Sequence, residues 1–472
     1  MKTPPAMSFK ILIFGCVFFF FARDTGLQAQ DSILLKNAKV FTMGRSGVLE
    51  PGMILVREGK IEKVAAAIEA PPGAIILDLG GRSVIPGMVC ASSSVLIPPR
   101  DLFFPGDETP DADALEGLNA FDESIPELLH HGVTAAYVSA ASYQFVGGMG
   151  AVVRLAGQAP GHLEVLKEKA GLSVRVERME NKKTSNLLRL TQYQKVRDFF
   201  VQAREYRKEW QDYEKKLAEY NQSQKSKKDE RAKDKEKDKE KAQEKAKEPE
   251  KPKKDEGKEI LLQVIDKKIP LRIEAHRTDA ILNALRLGQE FGLKVILERA
   301  EDWPEVLPQI QEASAGFLSN PWLDYRKFLV PGGAKGYATT VLQLNADGFF
   351  YSGEEGKHGL PAQKPEENWR SLASAKVPFA LIPPDRLPLS ARYLRFYASL
   401  LVSLGFSQED ALKAVTSAPA EILGVSDRIG SVEEGKDADL VVLSGEPLDS
   451  LSKVEMVLVK GKKVWESKNE KN

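Results

Sequence analysis

The sequence predicts an α/β fold, a (β/α)8 TIM barrel joined to a small β-sandwich that both ends of the chain build together. Two observations lead to this prediction. The middle of the chain alternates helical stretches with short, continuously apolar runs, which is the pattern of parallel strands buried on both faces. Both ends carry short alternating segments separated by turn residues, which is the pattern of strands with one solvated face. At 472 residues the chain can form two or three domains with a large core.

The N-terminus has the pattern of an export signal. Lys2 and Lys10 precede the apolar run 11–22, and small residues before Gln30 provide a cleavage site. We therefore expect residues 1–29 to be a signal peptide and the mature protein to be exported, to the periplasm of a bacterium. The apolar run is short for a membrane span, so we expect no stable span after the signal is removed. An uncleaved membrane anchor is the alternative.

The β-sandwich is predicted from residues 30–83 and 427–472. Turn residues, among them Pro51-Gly52 and Lys460-Gly461-Lys462, separate its strands. The predicted strands are Ile33–Met43, Met53–Val64, Ile75–Leu79, Ala438–Leu443, Val454–Val459 and Lys462–Trp465.

The barrel is predicted from residues 84–426. Eight apolar runs match the eight strands that such a barrel requires. The predicted strands are Val84–Val89, Val133–Val138, Gly150–Leu155, Leu172–Val176, Leu271–Ala275, Lys294–Glu298, Gly316–Ser319 and Val377–Ile382.

Residues 205–258 interrupt this pattern as a charged, low-complexity insertion. A helix with aromatic residues at its start, such as Trp210 and Tyr213, gives way to a stretch of almost only Lys, Glu, Asp, Gln and Ala. This stretch has few apolar side chains to bury, so packing cannot offset the conformational entropy that is lost when the stretch becomes ordered. It is either a solvated helix or disordered, and we expect it to be exposed. A protruding helix that contacts a partner is the alternative.

The composition of the chain limits which partners and metal sites it can have. Net charge is zero, and acidic residues balance the lysines of the insertion, so a nucleic-acid partner is not expected. The chain has five histidines, barely enough for a two-metal site of imidazoles and carboxylates. Cys90 is the one cysteine left after signal removal, so the mature chain cannot form an internal disulfide.

Four motifs resemble the amidohydrolase superfamily, and among its branches the imidazolonepropionase-like, prolidase-like exported proteins. The segment 81–94 is similar to that family's first barrel strand, and 131–139 is similar to its second. The segment 269–279 resembles the phrase I-P-L-R-I-H-A-H-R-A-D, and 429–442 resembles I-G-S-I-E-x-G-K-D-A-D-L-V-V. Together these motifs extend over most of the mature chain.

The resemblance implies metal-assisted hydrolysis, and it also indicates which residues should perform it. In the family, histidines on the first, fifth and sixth strands bind a divalent metal such as Zn²⁺, which activates water, and an aspartate on the eighth strand moves the proton. The resemblance places the first-strand histidines on Ser92 and Ser94, the fifth-strand histidine on Glu274 and the sixth-strand histidine on Arg299. It places the catalytic aspartate on Asp385.

These substitutions remove the metal ligands together. Hydroxyl groups are poor ligands compared with imidazole, and a guanidinium has no lone pair to donate. We therefore expect no metal cofactor and a degenerate barrel. We predict that Arg299, Glu274 and Asp385 form an ion-pair network where the metal would lie. His276, two residues after Glu274, is predicted to be a hydrogen-bonded structural residue.

The function that follows is that of an exported, catalytically degenerate pseudoenzyme, which acts as a binding or subunit partner of an active relative. The alternative is a hydrolase of C–N bonds, in cyclic amides or dipeptide-like substrates, with a rebuilt metal site of Glu274, Asp385 and His276. A metal-free pocket for a small-molecule ligand is a third interpretation.

Overall fold

The protein is described by a computed structural model, and the predicted signal peptide lies outside the residues that it places. The structure describes residues 32–93, 96–97, 108–139, 144–155, 163–176, 186–233, 248–320, 365–375, 377, 379–383 and 388–467. Within these ranges, no helix is both long enough and apolar enough to cross a membrane.

Strands from both ends of the chain form one mixed eight-stranded sheet, called here the terminal sheet. Its strand order is β16-β15-β14-β5-β1-β2-β3, with β4 paired to β1. The two ends meet where β14 pairs antiparallel with β5, with Val442 opposite Val84. The predicted union of the two ends is confirmed, whereas the second layer of a sandwich stays a prediction. The strands are β1 (Ser32–Phe41), β2 (Val48–Arg57), β3 (Lys60–Ala65), β4 (Ile75–Asp78), β5 (Ser83–Pro86), β14 (Leu440–Leu443), β15 (Val454–Val459) and β16 (Lys462–Glu466).

The remaining strands form a second eight-stranded sheet, which is the barrel. Its order is β13-β12-β11-β10-β9-β8-β7-β6, and the edge strands β6 and β13 approach each other so that the sheet nearly closes. Each of the eight predicted barrel strands overlaps one of these. The strands are β6 (Met88–Ser93), β7 (Val133–Ser139), β8 (Val146–Arg154), β9 (Glu164–Arg175), β10 (Leu271–Glu274), β11 (Val295–Glu298), β12 (Gly316–Ser319) and β13 (Phe379–Leu381).

The predicted first barrel strand, Val84–Val89, is divided between the two sheets. Its first half lies in β5 and its second half in β6, with Gly87 between them. A Cβ at Gly87 would lie 2.1 Å from the Thr134 hydroxyl, so only glycine fits where the chain passes from one sheet to the other. Continuous hydrophobicity cannot reveal this division, because both halves are buried.

One barrel strand runs against the others, which differs from the predicted all-parallel repeat. β8 pairs antiparallel with both β7 and β9. Two antiparallel neighbours can be joined by a short connection, whereas parallel neighbours need a longer crossover. The chain makes β7, β8 and β9 without a described helix between them, so β8 returns down the barrel.

Helices pack on the outside of the barrel and close one end of it. Inward-facing residues of the strands, such as Val89 and Leu318, form a buried cluster with Ile422 and Leu423 of the last helix. The barrel is therefore filled by side chains at that end. The helices are α1 (Ser124–His130), α2 (Asn186–Lys233), α3 (Glu256–Ile265), α4 (Thr278–Phe291), α5 (Leu307–Glu312), α6 (Pro365–Ala375), α7 (Leu394–Ser403), α8 (Gln408–Lys413) and α9 (Ser417–Leu423), with 3-10 turns at Ala114–Gly117, Trp303–Val306 and Pro388–Tyr393.

The first part of the predicted insertion is helical and anchored. It belongs to α2, which begins before it at Asn186. Tyr206 is buried, and its hydroxyl donates to Glu259 Oε1 of α3 at 2.8 Å. Trp210 lies under the Lys251 ammonium, 5.7 Å from the ring centre. The base of the insertion is therefore packed against the barrel's outer layer, and residues 234–247 lie outside the described residues.

A buried ion-pair network joins the barrel to the terminal sheet, and we call it the junction network. Arg154, at the end of β8, is fully buried and donates from Nε to Asp439 Oδ2 at 2.9 Å. It also contacts Asp437 and Glu164, and Arg428 bridges these two carboxylates at 2.8 and 2.6 Å. Burial alone would raise the pKa of Asp437, but its bonds with Arg154 and Lys60 lower it to about 2. The Asp437-Ala438-Asp439 motif is thus the clamp between the two sheets.

Candidate functional site

The carboxyl ends of the parallel barrel strands define the barrel mouth, where ligand sites of such folds lie. Arg175, Glu274 and Glu298 end three neighbouring strands. Glu274 is in register with Arg175 on one side and with Glu298 on the other. The fold therefore brings three charged side chains, distant in sequence, to one edge of the sheet.

One group at the mouth is built around Arg272, which is 1% exposed. Its guanidinium lies 3.7 Å from the centre of the Tyr137 ring and donates from Nη2 to the Ala91 carbonyl at 2.8 Å. Nη2 also lies 3.0 Å from Glu298 Oε2. Ser92 donates its hydroxyl to the other oxygen of Glu298. A fixed cation therefore neutralises Glu298, and Ser92 serves as a hydrogen-bond donor to it.

A second group surrounds His276. The Nε2 atom of His276 lies 3.1 Å from Glu274 Oε1, and its Nδ1 atom lies 3.1 Å from Glu301 Oε1. Glu274 also accepts from Arg175, whose Nη2 lies 2.6 Å from Oε2. Both ring nitrogens of His276 are therefore within hydrogen-bond distance of carboxylates, and its structural role stays a prediction.

The two carboxylates determine the charge of His276. A carboxylate oxygen only accepts hydrogen bonds, so each ring nitrogen must donate, and the ring is an imidazolium. Burial opposes this charge, but the hydrogen bonds with Glu274 and Glu301 outweigh it and raise the pKa of His276 to about 9. At neutral pH the ring is a cation without a free lone pair.

Three further predicted residues have different outcomes. Arg299 follows β11 in a left-handed conformation, with φ of 57°, and is 6% exposed; its backbone N–H donates to the Leu318 carbonyl at 3.1 Å. Ser94 and Asp385 lie outside the described residues. The predicted network of Arg299, Glu274 and Asp385 therefore stays a prediction.

The described residues of the mouth do not fit a divalent metal. Both nitrogens of His276 are engaged by carboxylates, and the carboxylates of Glu274 and Glu298 are each paired with an arginine. Nη1 of buried Arg272 has no hydrogen-bond partner among the described residues, and a divalent cation placed beside this guanidinium would be repelled by its charge. Within the described ranges, three metal-ligating side chains come together instead at Glu127, His130 and His131.

Sequence reasoning missed four members of the mouth: Arg175, Arg272, Glu298 and Glu301. A signal was present for one of them. Arg272 stands two residues before Glu274 on the same strand, so both side chains lie on one face. Arg175 and Glu301 carry no local signal, because strand pairing and a loop bring them to Glu274 and His276.

Known proteins support the family that the motifs suggested. The profile of the Amidohydrolase family matches residues 388–464. An amidohydrolase from Thermotoga maritima MSB8 is similar in structure, with a TM-score of 0.67 and 28% identity, over 92% of this chain and 100% of that one. A putative prolidase from Bifidobacterium longum shares the fold, with a TM-score of 0.51 and 17% identity, over 92% of this chain and 95% of that one.

Among curated proteins, Amidohydrolase tasK of Hapsidospora irregularis is 38% identical over 64 residues. That stretch is 14% of this chain and spans 6% of the length of that protein. With the structural likeness and the family profile, these findings lead to one conclusion. The chain belongs to the amidohydrolase superfamily.

Proposed function

We propose that this chain is an exported pseudoenzyme of the amidohydrolase superfamily with no metal at its barrel mouth, which acts as a binding or subunit partner of an active relative. The observation that carries the proposal is that the two ring nitrogens of His276 each lie 3.1 Å from a carboxylate oxygen, one of Glu274 and one of Glu301. A metal-binding histidine needs one nitrogen with a free lone pair, and here both nitrogens donate to carboxylates.

The rest of the mouth supports the same proposal. Glu274, at the position of a family ligand, is held by Arg175, and Glu298 is held by Arg272 and Ser92. A divalent ion would have to displace these guanidinium groups or lie beside them. Both arrangements are costly in a buried site, because like charges repel strongly where water does not screen them.

The subunit role rests on the resemblance. Members of the superfamily commonly oligomerise, so a degenerate subunit beside a competent one is a natural arrangement. A small-molecule ligand at the mouth is compatible with the same fold, and a rise in melting temperature without turnover would point to it.

Metal content tests the proposal. The mature protein is incubated with Zn²⁺ or Mn²⁺, dialysed, and analysed by mass spectrometry, alongside Glu274→Ala. We expect the variant to hold as much metal as the wild type. Near-stoichiometric metal that is lost in Glu274→Ala would favour a rebuilt hydrolytic site instead.

A pull-down from the native periplasm tests the subunit role. We expect a histidine-complete member of the superfamily to co-purify with the tagged chain. A chain that purifies alone and hydrolyses C–N bonds of dipeptide-like substrates would contradict the proposal.

A further inference from the structure

Three potential metal ligands lie together at the C-terminal end of α1, away from the mouth. Glu127, His130 and His131 each place one ligand atom within 4.8 Å of those of the other two. α1 ends just before β7 begins, so this cluster lies at the opposite end of the barrel from the strand ends that form the mouth. It is independent of the proposed function.

We propose that Glu127, His130 and His131 form a surface binding site for a divalent cation of the late first transition row, such as Zn²⁺ or Cu²⁺. Two imidazoles and one carboxylate suit these ions, whereas Ca²⁺ and Mg²⁺ prefer sites made of oxygen alone. Three protein ligands leave coordination positions for water or for a further ligand.

The ring of His131 is held in a form that can bind a metal. Its Nδ1 atom lies 2.9 Å from the backbone carbonyl oxygen of Glu127. A carbonyl oxygen only accepts, so Nδ1 donates this bond and Nε2 is the ring nitrogen left for a metal. The Nδ1 atom also lies 3.7 Å from Glu127 Oε1. Metal-bound histidines commonly have this arrangement, with the second nitrogen donating to a carbonyl.

The ring of His130 is held by a contact from the terminal sheet. It stacks on Trp465 of β16, with ring centres 4.5 Å apart and planes at 21°. Its Nδ1 atom lies 3.8 Å from the Glu127 carboxylate. The stacked indole limits the rotation of His130, which lowers the entropy lost when a metal is bound.

The cluster is accessible, and small movements would bring its ligands to bonding distance. The side chains of His130, His131 and Glu127 are 49%, 34% and 37% exposed. Metal–nitrogen and metal–oxygen bonds of about 2.0–2.2 Å need ligand atoms closer together than they are here. Exposed side chains can make that change at low cost. The C-terminal end of a helix also favours a cation.

One residue opposes the cation and provides a sensitive test. Nη1 of Arg392 lies 3.4 Å from Glu127 Oε1, so its positive charge competes for the same carboxylate. Removing this charge should tighten metal binding. If the cluster binds no metal, removing the charge would change nothing.

Calorimetric titration of the mature protein with Zn²⁺ tests the proposal. We expect one site that weakens by about tenfold or more in His130→Asn/His131→Asn and in Glu127→Gln. We expect Arg392→Gln to bind roughly three- to tenfold more tightly, because a nearby like charge has been removed. Glu123→Gln removes an exposed carboxylate of the same helical segment and serves as the matched control, with unchanged affinity.

Electron paramagnetic resonance of one equivalent of bound Cu²⁺ identifies the ligands. We expect nitrogen hyperfine couplings that disappear in the double histidine variant and persist in Glu274→Ala. The proposal would be overturned if the nitrogen couplings persist in the double variant. It would also be overturned if the wild type shows no heat of Zn²⁺ binding in the calorimetric titration. Because Glu127→Gln leaves both histidines in place, it decides the question even if the double variant does not fold. Metal lost only in Glu274→Ala would instead contradict the metal-free mouth.

Discussion

A network of charged side chains lies at each end of the barrel. Comparing the two shows that carboxylates are paired with cationic side chains in the same way at both ends. At the junction network, Arg154 and Arg428 hold Asp437, Asp439 and Glu164 and so clamp two sheets together. At the mouth, arginines and an imidazolium hold three glutamates. In both places the protein's own cations neutralise its carboxylates.

This likeness is informative because the two ends have different expected roles. The end at the strand amino termini serves stability in such barrels, and the mouth carries catalysis. Here Glu274 and Glu298 are paired with Arg175 and Arg272 in the way that Asp437 is paired with Arg154. The mouth thus has the charge pairing of a structural network, and this pairing supports the proposed pseudoenzyme.

The largest expected effect is at the junction. Arg154→Met leaves Asp437 and Asp439 buried without their main cation, so we expect a loss of about 3–5 kcal/mol in the free energy of unfolding. Denaturant titration measures it. Lys463→Met, which removes an exposed pair with Glu466, is the control, with an expected change below about 1 kcal/mol. Equal losses in the two variants would mean that the junction does not clamp the sheets.

The same denaturant titration of a variant at the mouth should give a smaller but clear loss in the free energy of unfolding. Arg272→Met removes the guanidinium that pairs with Glu298 in the barrel, at a cost of about 2–4 kcal/mol. The double variant Arg272→Met/Glu298→Leu should regain most of this loss, because it removes the carboxylate together with the guanidinium. If the double variant is no more stable than the single one, the pair does not behave like the junction, and the comparison fails.

The pH-dependent contribution of His276 to the free energy of unfolding is expected to be smaller still. Its folded-state pKa of about 9 lies above the ordinary value of 6.5, so the folded protein holds a proton that the unfolded chain releases. The stabilisation is complete below about pH 6.5 and is lost as the pH rises through about 9.

His276→Gln measures that contribution. The difference in unfolding free energy between wild type and variant should shrink by on the order of 2–3 kcal/mol between pH 6 and pH 9.5. Denaturant titrations at both pH values provide the measurement. A difference that stays constant with pH would show that the ring is neutral, and would reopen its use as a metal ligand.

Much of the fold was predictable because its signals are local. Each of the eight predicted barrel runs overlaps a strand of the barrel, and the strands of both termini do share one sheet. An apolar run needs only its own residues to show that it is buried. The predicted replacement of the family's histidines by Ser92, Glu274 and Arg299 rests on local motifs in the same way, and it stays a prediction.

Only the tertiary structure decided in which direction each strand runs and which side chains contact each other. The reversed β8 and the break at Gly87 depend on neighbours that the run itself does not identify. The clamp on His276 needs Glu274, two residues away, and Glu301, 25 residues away. The sequence determined which apolar runs are buried, because each run carries that signal in its own residues. The structure determined which charges face each other, because strand register and loop paths bring together side chains that are far apart along the chain.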